Sequence, residues 1–336
     1  MPPRRIRIRS VGRYLPTTVV TAAALDERMG LPPGTVAAES GVLERRYAGD
    51  ELASSMGAKA ARQALEAGGL ALADVDLILG ACGTPEQAIP CNAALIQRAL
   101  GAERSGIPAF DVNSTCLSFL TALDVASCLI EAGRYRRVLV VSADIASVGL
   151  DWQARESAMI LGDGAAAAVV EASPADDPAA FLACGMQTYS EGADLTRIRG
   201  GGSRHHPREH RGDLASYAEG YCLFEMDGRA VFKRSAAVLP GFLSEVLGQA
   251  GLSLDDVALV VPHQASPSAL ELMRRRLGLP PERWLTIAHD HGNTVAASIP
   301  LALEAAVREG RLRRGDTALL LGTSAGFSVG ALAFRY

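Results

Sequence analysis

The chain repeats itself. The stretch EAGGLALADVDLILG at 66–80 is answered by GQAGLSLDDVALVVP at 248–262, with Leu72 matching Leu254 at an offset of 182 residues. Further on, PCNAALIQRALG at 90–101 is answered by PSALELMRRRLG at 267–278, with Leu95 matching Leu272 at an offset of 177. Under that second offset Cys116 falls on Asn293, and Gly133 of GRYRR falls on Gly310 of GRLRR. Registers that agree over several segments point to a duplicated unit, which restricts the fold more than any single motif does.

In each half, helical patterns alternate with short apolar runs: VDLILG and RVLVVSA in the first, ALVVPH and TALLLG in the second. Such runs suit strands buried on both faces. Between the halves, EASPADDPAA at 171–180 carries the prolines and aspartates of a surface crossover. The expectation is an α/β fold of two similar layered halves, residues 1–172 and 173–336, with strands sandwiched between helices. Equivalent strand ends of a duplicated fold should face each other across a shared cleft, where open α/β sheets bind ligands. Cys116, His263 and Asn293 all fall at such strand ends.

Composition narrows the function. Over 336 residues, 49% hydrophobic content supplies a large core, and a formal charge of −4 argues against wholesale nucleic-acid binding. No apolar run reaches the length of a membrane helix. The opening MPPRRIRIRS has the positive charge of a signal peptide without its apolar stretch, and Ile6 and Ile8 alternate with arginines as in a strand. The cytoplasm is the expected compartment. The six cysteines, Cys82, Cys91, Cys116, Cys128, Cys184 and Cys222, form no C-x-x-C pair and are expected as thiols.

Cys116 stands between FDVNST and LSFLTALDVASCLIEAG, whose Leu117, Leu120, Leu123 and Ile130 make a helical apolar stripe. A thiol on the first turn of a helix lies at the positive end of the macrodipole, near unpaired N–H groups, and both favour the thiolate. Such settings bring a cysteine from about 8.5 to roughly 3.5–7.5 and make it a nucleophile. The bland alternative is a small residue at a tight junction. By themselves, His263 reads as a structural histidine and Asn293 as an N-cap. The repeat, however, puts an uncharged donor where the other half has its thiol. GGGSRHHPREH at 200–210 lacks both the P-loop lysine and a zinc-ligand spacing, so it reads as a loop, and Asp163 of GDG as a turn residue.

DVNSTCLSFLTAL, LGDGAAAAVV, VPHQAS, HGNTVAASIPLALEAA and the terminal GFSVGALAFRY, taken together and in this order, resemble the beta-ketoacyl-acyl-carrier-protein synthase III family of thiolase-like fold. The resemblance implies a Cys-His-Asn site at Cys116, His263 and Asn293 in a homodimer with no permanently bound cofactor. It also implies the chemistry: Cys116 takes an acyl group from a thioester of coenzyme A or phosphopantetheine, and a malonyl thioester on acyl carrier protein then loses carbon dioxide and condenses with it. His263 and Asn293 would stabilise the enolate. The backbone N–H groups of Cys116 and Ala325, in GTSAGF, would hold the second oxyanion. Many relatives carry glycines where this chain has Ser324 and Ala325, so the N–H of Ala325 requires a backbone that alanine can adopt.

The same resemblance places Arg155 near the coenzyme A nucleotide, Phe232 along the pantetheine tunnel, and Ile89 where a subunit reaches into its partner's acyl pocket. Lys233 with Arg274, Arg275 and Arg276 could form a basic patch for an acidic carrier protein, or a solvated helix face. Leu43 and Ser268 stand where the family often has basic residues, which weakens coenzyme A as the primer carrier; together with Ala325 they suggest a specialised or medium-chain primer over acetyl priming. Trp152 suits packing better than stacking on a base. Two other readings compete: an acyltransferase that moves the Cys116 acyl group to a hydroxyl or amine, and a silent partner subunit.

Overall fold

The computed structural model describes residues 2–209 and 213–336. Its first main sheet has five strands: β1 (Ile6–Tyr14), β2 (Leu77–Gly80), β3 (Ala109–Asp111), β4 (Arg137–Asp144) and β5 (Gly164–Ala172), in the order β1-β5-β4-β2-β3. β2 runs parallel to β3 and β4, and β5 runs antiparallel to β4 and β1. The second has four: β6 (Ala180–Thr188), β7 (Leu259–Pro262), β8 (Thr317–Ser324) and β9 (Ser328–Arg335), in the order β7-β8-β9-β6. Here β7 and β8 are parallel and β9 is antiparallel to both neighbours. Laid on the first sheet, β7, β8, β9 and β6 take the places of β2, β4, β5 and β1. The counterpart of β3 is reduced to one bridge, Trp284 on Val260, where the first half pairs Ala109 with Ile78.

Six longer helices complete the layers: α1 (Ala53–Ala67), α2 (Asn92–Ala99), α3 (Ser118–Glu131), α4 (Gly228–Gln249), α5 (Pro267–Arg276) and α6 (Ser298–Arg308). Strand alternation assigns their positions. Leu77, Leu79, Val138 and Val140 of the first sheet meet Leu259, Val261, Ala318 and Leu320 of the second in one core, filled by α3 and α6. The intervening residues face outward: Ile78, Leu139 and Val141 pack under α1 and α2, and Val260, Leu319 and Leu321 under α4 and α5. The result is a five-layer sandwich, helices, sheet, helices, sheet, helices. The central pair is buried enough to need apolar residues around most of the helix, as Phe119, Leu120, Ala122, Leu123 and Ala126 show in α3. Each buried large apolar side chain contributes about 1.5–3 kcal/mol.

The repeat offset of 182 holds in the fold. A short 3-10 turn at Leu72–Asp74 precedes β2, and its counterpart Leu254–Asp256 precedes β7. α2 and α5 end at Ala99 and Arg276, in register at 177. The crossover expected from EASPADDPAA is the segment 173–179 between β5 and β6.

Candidate active site

Two turns of nearly the same shape face each other where the halves meet. Asn113 Oδ1 accepts the N–H of Thr115 at 2.8 Å, and Asn293 Oδ1 accepts the N–H of Val295 at 2.9 Å. Thr115 (φ 50°) and Val295 (φ 53°) are the only non-glycine residues with positive φ among the described residues. Each opens a 3-10 turn, Thr115–Leu117 or Val295–Ala297, that runs into α3 or α6. β-branched residues in the left-handed region are strained, and such strain collects at functional sites. The turns therefore register at an offset of 180: Asn293 is the counterpart of Asn113, and Cys116 of Ala296. The sequence register, which paired Cys116 with Asn293, is corrected here. The second half carries three extra residues between Arg276 and the turn, which shifts the match.

Cys116 occupies the 3-10 turn ahead of α3 and is half-buried. The backbone N–H groups of Cys116 and Ala325 lie near its sulfur and favour the thiolate. Ala325 is not strained, because the positive φ falls one residue later, on Gly326 at 111°. An alanine thus supplies the donor expected of a glycine loop. The expectation of a lowered pKa is overturned: burial, with the Asp144 carboxylate adding to it, pushes the Cys116 thiol up to about 12. Loss of hydration outweighs the two N–H donors.

His263 follows β7 directly and continues its ladder, donating its N–H to Leu321 O at 2.7 Å. It is 6% exposed, and burial lowers it to about 4, so the ring is neutral at physiological pH. Ser298 Oγ lies 2.6 Å from Nδ1 and accepts the N–H of Gln264 at 3.3 Å. With no carbonyl partner among the described residues, the Ser298 proton goes to Nδ1, which leaves the hydrogen on Nε2. Gln264 pins the loop: its amide donates to Pro262 O and Leu285 O, and its oxygen accepts the N–H groups of Ile287 and Ala288. Gly322 lets the halves close, since a Cβ there would lie 2.9 Å from His263 Cβ and 3.0 Å from Leu117 Cδ2.

Asn293 is 8% exposed and fixed by its backbone, donating to Ile160 O at 2.7 Å and accepting from Gly162 at 3.0 Å. Gly292 before it, at φ +65°, has no room for a Cβ, which would come within 2.5 Å of Ile160 O. Since Oδ1 is spent on Val295, Asn293 offers its Nδ2 hydrogens, which have no acceptor among the described residues.

Asp144, which the sequence did not flag, and Ser324, noted there only where relatives carry a glycine, hold the turns from the opposite half. Asp144, fully buried at the end of β4, accepts from Gly83 and Thr84 in its own half and from the N–H groups of Ala296 and Ala297 in the other. Ser324, ending β8 at the same offset of 180, donates to Ser114 O at 2.7 Å and touches the Thr115 hydroxyl. The matched strand ends RVLVVSAD and TALLLGTS carry the signal that finds them.

Cys116, His263, Asn293, Ser324 and Ala325 line one cavity of about 660 Å³. Arg155 and Phe232 line it too, and Arg155 is paired with Glu39 at 3.0 Å, both half exposed. Ser268 also lines the cavity, whereas Leu43 is exposed. Ile89 is 85% exposed and stays outside it. Lys233, Arg275 and Arg276 are not on its wall either: Arg275 pairs with Glu271 at 2.6 Å, and Arg276 donates to Ala236 O. Arg274 drops out of the expected patch, its side chain only 14% exposed and held by Glu271 and Leu279 O. Trp152 packs beneath the Arg28 guanidinium, 3.5 Å from the ring centre. Asp163 is a turn anchor, accepting from Ala48 and Ser147. The last residue of the 200–210 loop lies outside the described residues. Among those described, no group of His, Cys, Asp and Glu is arranged to hold a metal, and no helix is long and apolar enough to cross a membrane.

This geometry has close parallels. Residues 110–190 match the family model for 3-oxoacyl-[acyl-carrier-protein] synthase III, and residues 247–336 match the model for its C-terminal part. The chain is 37% identical, over 99% of both chains, to the beta-ketoacyl-[acyl-carrier-protein] synthase III of Sphingopyxis alaskensis. The solved structure of 3-oxoacyl-[acyl-carrier-protein] synthase III from Aquifex aeolicus VF5 superimposes with a TM-score of 0.87 at 32% identity, covering 98% of this chain and 100% of that one. The priming beta-ketosynthase of the R1128 polyketide pathway does so with a TM-score of 0.88 at 30% identity, covering 100% and 97%. The expected thiolase-like fold is thus the fold found, and with relatives this similar over almost their whole length, the chain belongs to the 3-oxoacyl-[acyl-carrier-protein] synthase III family.

Proposed function

We propose that this chain condenses an acyl thioester primer with malonyl-acyl carrier protein, with loss of carbon dioxide, through an acyl group held on Cys116. One observation carries the reading: Cys116, His263 and Asn293 share a cavity wall, with the backbone N–H groups of Cys116 and Ala325 near the sulfur. First, Cys116 Sγ attacks the primer's thioester carbonyl, the bond to the carrier's sulfur breaks, and the thiol proton leaves with that sulfur. The oxyanion formed on the way lies beside the N–H groups of Cys116 and Ala325, and each such donor is worth roughly 2.7–4 kcal/mol. Next, the malonyl carboxylate leaves as carbon dioxide, and its electron pair becomes an enolate. Nε2–H of His263 and Nδ2 of Asn293 are the neutral donors for that oxygen. The enolate carbon then attacks the acyl-cysteine, expelling the Cys116 thiolate, which takes up a proton. The product is a β-ketoacyl thioester.

In this reading Phe232 lies along the pantetheine arm and Arg155 meets a phosphate at the mouth. Lys233, Arg275 and Arg276 face an acidic carrier protein. The exposed Ile89 suits a homodimer in which it enters the partner's acyl pocket. Residues 1–172 and 173–336 act as the two halves, and the enzyme works in the cytoplasm without a resident cofactor.

The test is intact mass after incubation with a panel of acyl-CoA and acyl-carrier-protein thioesters, followed by malonyl-acyl carrier protein. An adduct on Cys116 followed by release of carbon dioxide is the expected result. No adduct from any donor overturns the enzyme reading. An adduct with no decarboxylation leaves an acyltransferase acting on a hydroxyl or amine.

A further inference from the structure

The mouth of the cavity is balanced in charge. Among the described residues its wall carries four charged side chains, Glu39, Arg155, Glu156 and Arg229, two of each sign. Both places there that suit a phosphate are already held by carboxylates of the chain itself. Arg155 Nη2 lies 3.0 Å from Glu39 Oε1. The other place is the start of α4, a helix of 22 residues that begins on the wall at Gly228 and Arg229 and presents unpaired N–H groups and the positive end of its dipole. Asp227 caps it, accepting the N–H of Ala230 at 2.9 Å, and the Glu156 carboxylate lies so close over Gly228 that a Cβ there would have no room. Of the two arginines, only Arg229 has no carboxylate at ion-pair distance among the described residues. Arg28 is stacked on the Trp152 ring, and neither lines the cavity.

We propose that the primer reaches Cys116 on an acyl carrier protein, and that Glu39, with Glu156, keeps the nucleotide end of coenzyme A out. The proposal rests on the condensing reading above. The pantetheine arm is common to both carriers; what differs is the charge left at the mouth. A carrier protein presents one phosphodiester, which the two arginines answer with Glu39 still in place. Coenzyme A presents a diphosphate and a 3′-phosphate, the latter alone about −1.5 to −2, to a rim with no net positive charge. To hold it, Arg155 would have to leave Glu39, and the freed carboxylate would face the phosphates. The acidic surface of a carrier protein meets Lys233 instead, exposed on α4 and off the cavity wall. The transfer itself is the same from either carrier: the carbonyl carbon bonds to Cys116 Sγ, its bond to the arm's sulfur breaks, and the thiol proton goes to that sulfur.

Binding alone counts the charge that the mouth accepts. Pantetheine, its methyl phosphodiester and coenzyme A are titrated by calorimetry into Cys116→Ala, at low salt, where exposed charges act most strongly. The phosphodiester is expected to bind at least as tightly as pantetheine, and coenzyme A no more tightly than the phosphodiester. Glu39→Gln, and independently Glu156→Gln, should each tighten coenzyme A about three- to fivefold in proteins whose melting is intact. Glu39→Arg should tighten it about tenfold or more. Arg155→Ala should cancel the gain made by Glu39→Gln. Tighter binding of coenzyme A than of the phosphodiester in the Cys116→Ala parent, or an affinity that none of the three glutamate substitutions moves, overturns the proposal. A second readout keeps the condensing reading apart: on wild-type Cys116 the same octanoyl group should transfer at least about tenfold faster from acyl carrier protein than from coenzyme A. Transfer from coenzyme A that is equal or faster overturns the choice of carrier and upholds the condensing reading. No adduct from either thioester, with coenzyme A still bound no more tightly than the phosphodiester, upholds the exclusion of the nucleotide and overturns the condensing reading.

Discussion

The turns Asn113–Ser118 and Asn293–Ser298 share a backbone and differ in what they carry. Both have an asparagine that caps the turn, a strained β-branched residue and a serine opening the helix. In the first, Ser118 donates to Thr115 O at 2.7 Å; in the second, Ser298 makes no bond within its own turn and instead reaches His263 and the N–H of Gln264. The thiol of the first turn is the methyl of Ala296 in the second, and the imidazole of the second half is, at the offset of 182, the methyl of Ala81 in the first. The restraints differ in the same way. Asp144 clamps the turn without the thiol, whereas the matched Ser324 holds the turn that carries Cys116. One scaffold, used twice, has thus been divided by single side-chain exchanges into a side that carries a thiol and a side that carries an imidazole and a carboxamide.

The largest effect should come from trying to move the nucleophile. Cys116→Ala is expected to lower condensation at least about 10³-fold. Adding Ala296→Cys should restore none of it, since Ala296 is fully buried; adduct mapping by mass spectrometry checks this, and acylation at 296 would break the comparison. Next come the clamps. Asp144→Ala leaves four backbone N–H groups and the Thr84 hydroxyl short of a partner and should cost about 3–5 kcal/mol in urea unfolding. Ser324→Ala should cost about 1 kcal/mol.

The third prediction separates the two stages by pH. With the thiol at about 12, acylation of Cys116 should rise with pH between 6 and 10, by roughly tenfold per unit where the thiolate is the attacking form. With His263 at about 4, the imidazole is neutral above that value and protonated only below it. Decarboxylation by pre-acylated enzyme should therefore show no imidazole titration above pH 5; a step near pH 6 would report the Asp144 carboxyl, which burial raises to about 6. The smallest effect is expected from Ser298→Ala, about fivefold in decarboxylation, with imidazole nitrogen shifts in NMR reporting a mixed tautomer. Ser118→Ala should alter melting and leave those shifts alone.

The layered fold was legible because a duplication declares its own strands: Leu77–Gly80 and Leu259–Pro262 lie at the very offset that the sequence shows. That Cys116, His263 and Asn293 would meet was legible from their residue types and places in the repeat, and one cavity does gather them. Their register was not. Three residues added between Arg276 and the turn leave no mark in a chain read by local similarity, and the positive φ of Thr115 and Val295 is invisible in residue types that normally avoid it. The raised thiol also escaped, because a helix terminus can be read from sequence whereas burial cannot. Asp144 and Ser324 work over separations of 152 and 210 residues, beyond any motif.

The crossed grip of Asp144 and Ser324 bears on engineering. A chimera that joins the front part of one relative to the back part of another would inherit strand ends and turns that had never met. Grafts should succeed when residues 144, 296 and 297 travel as one matched set and 114, 115 and 324 as another, wherever the splice itself is made.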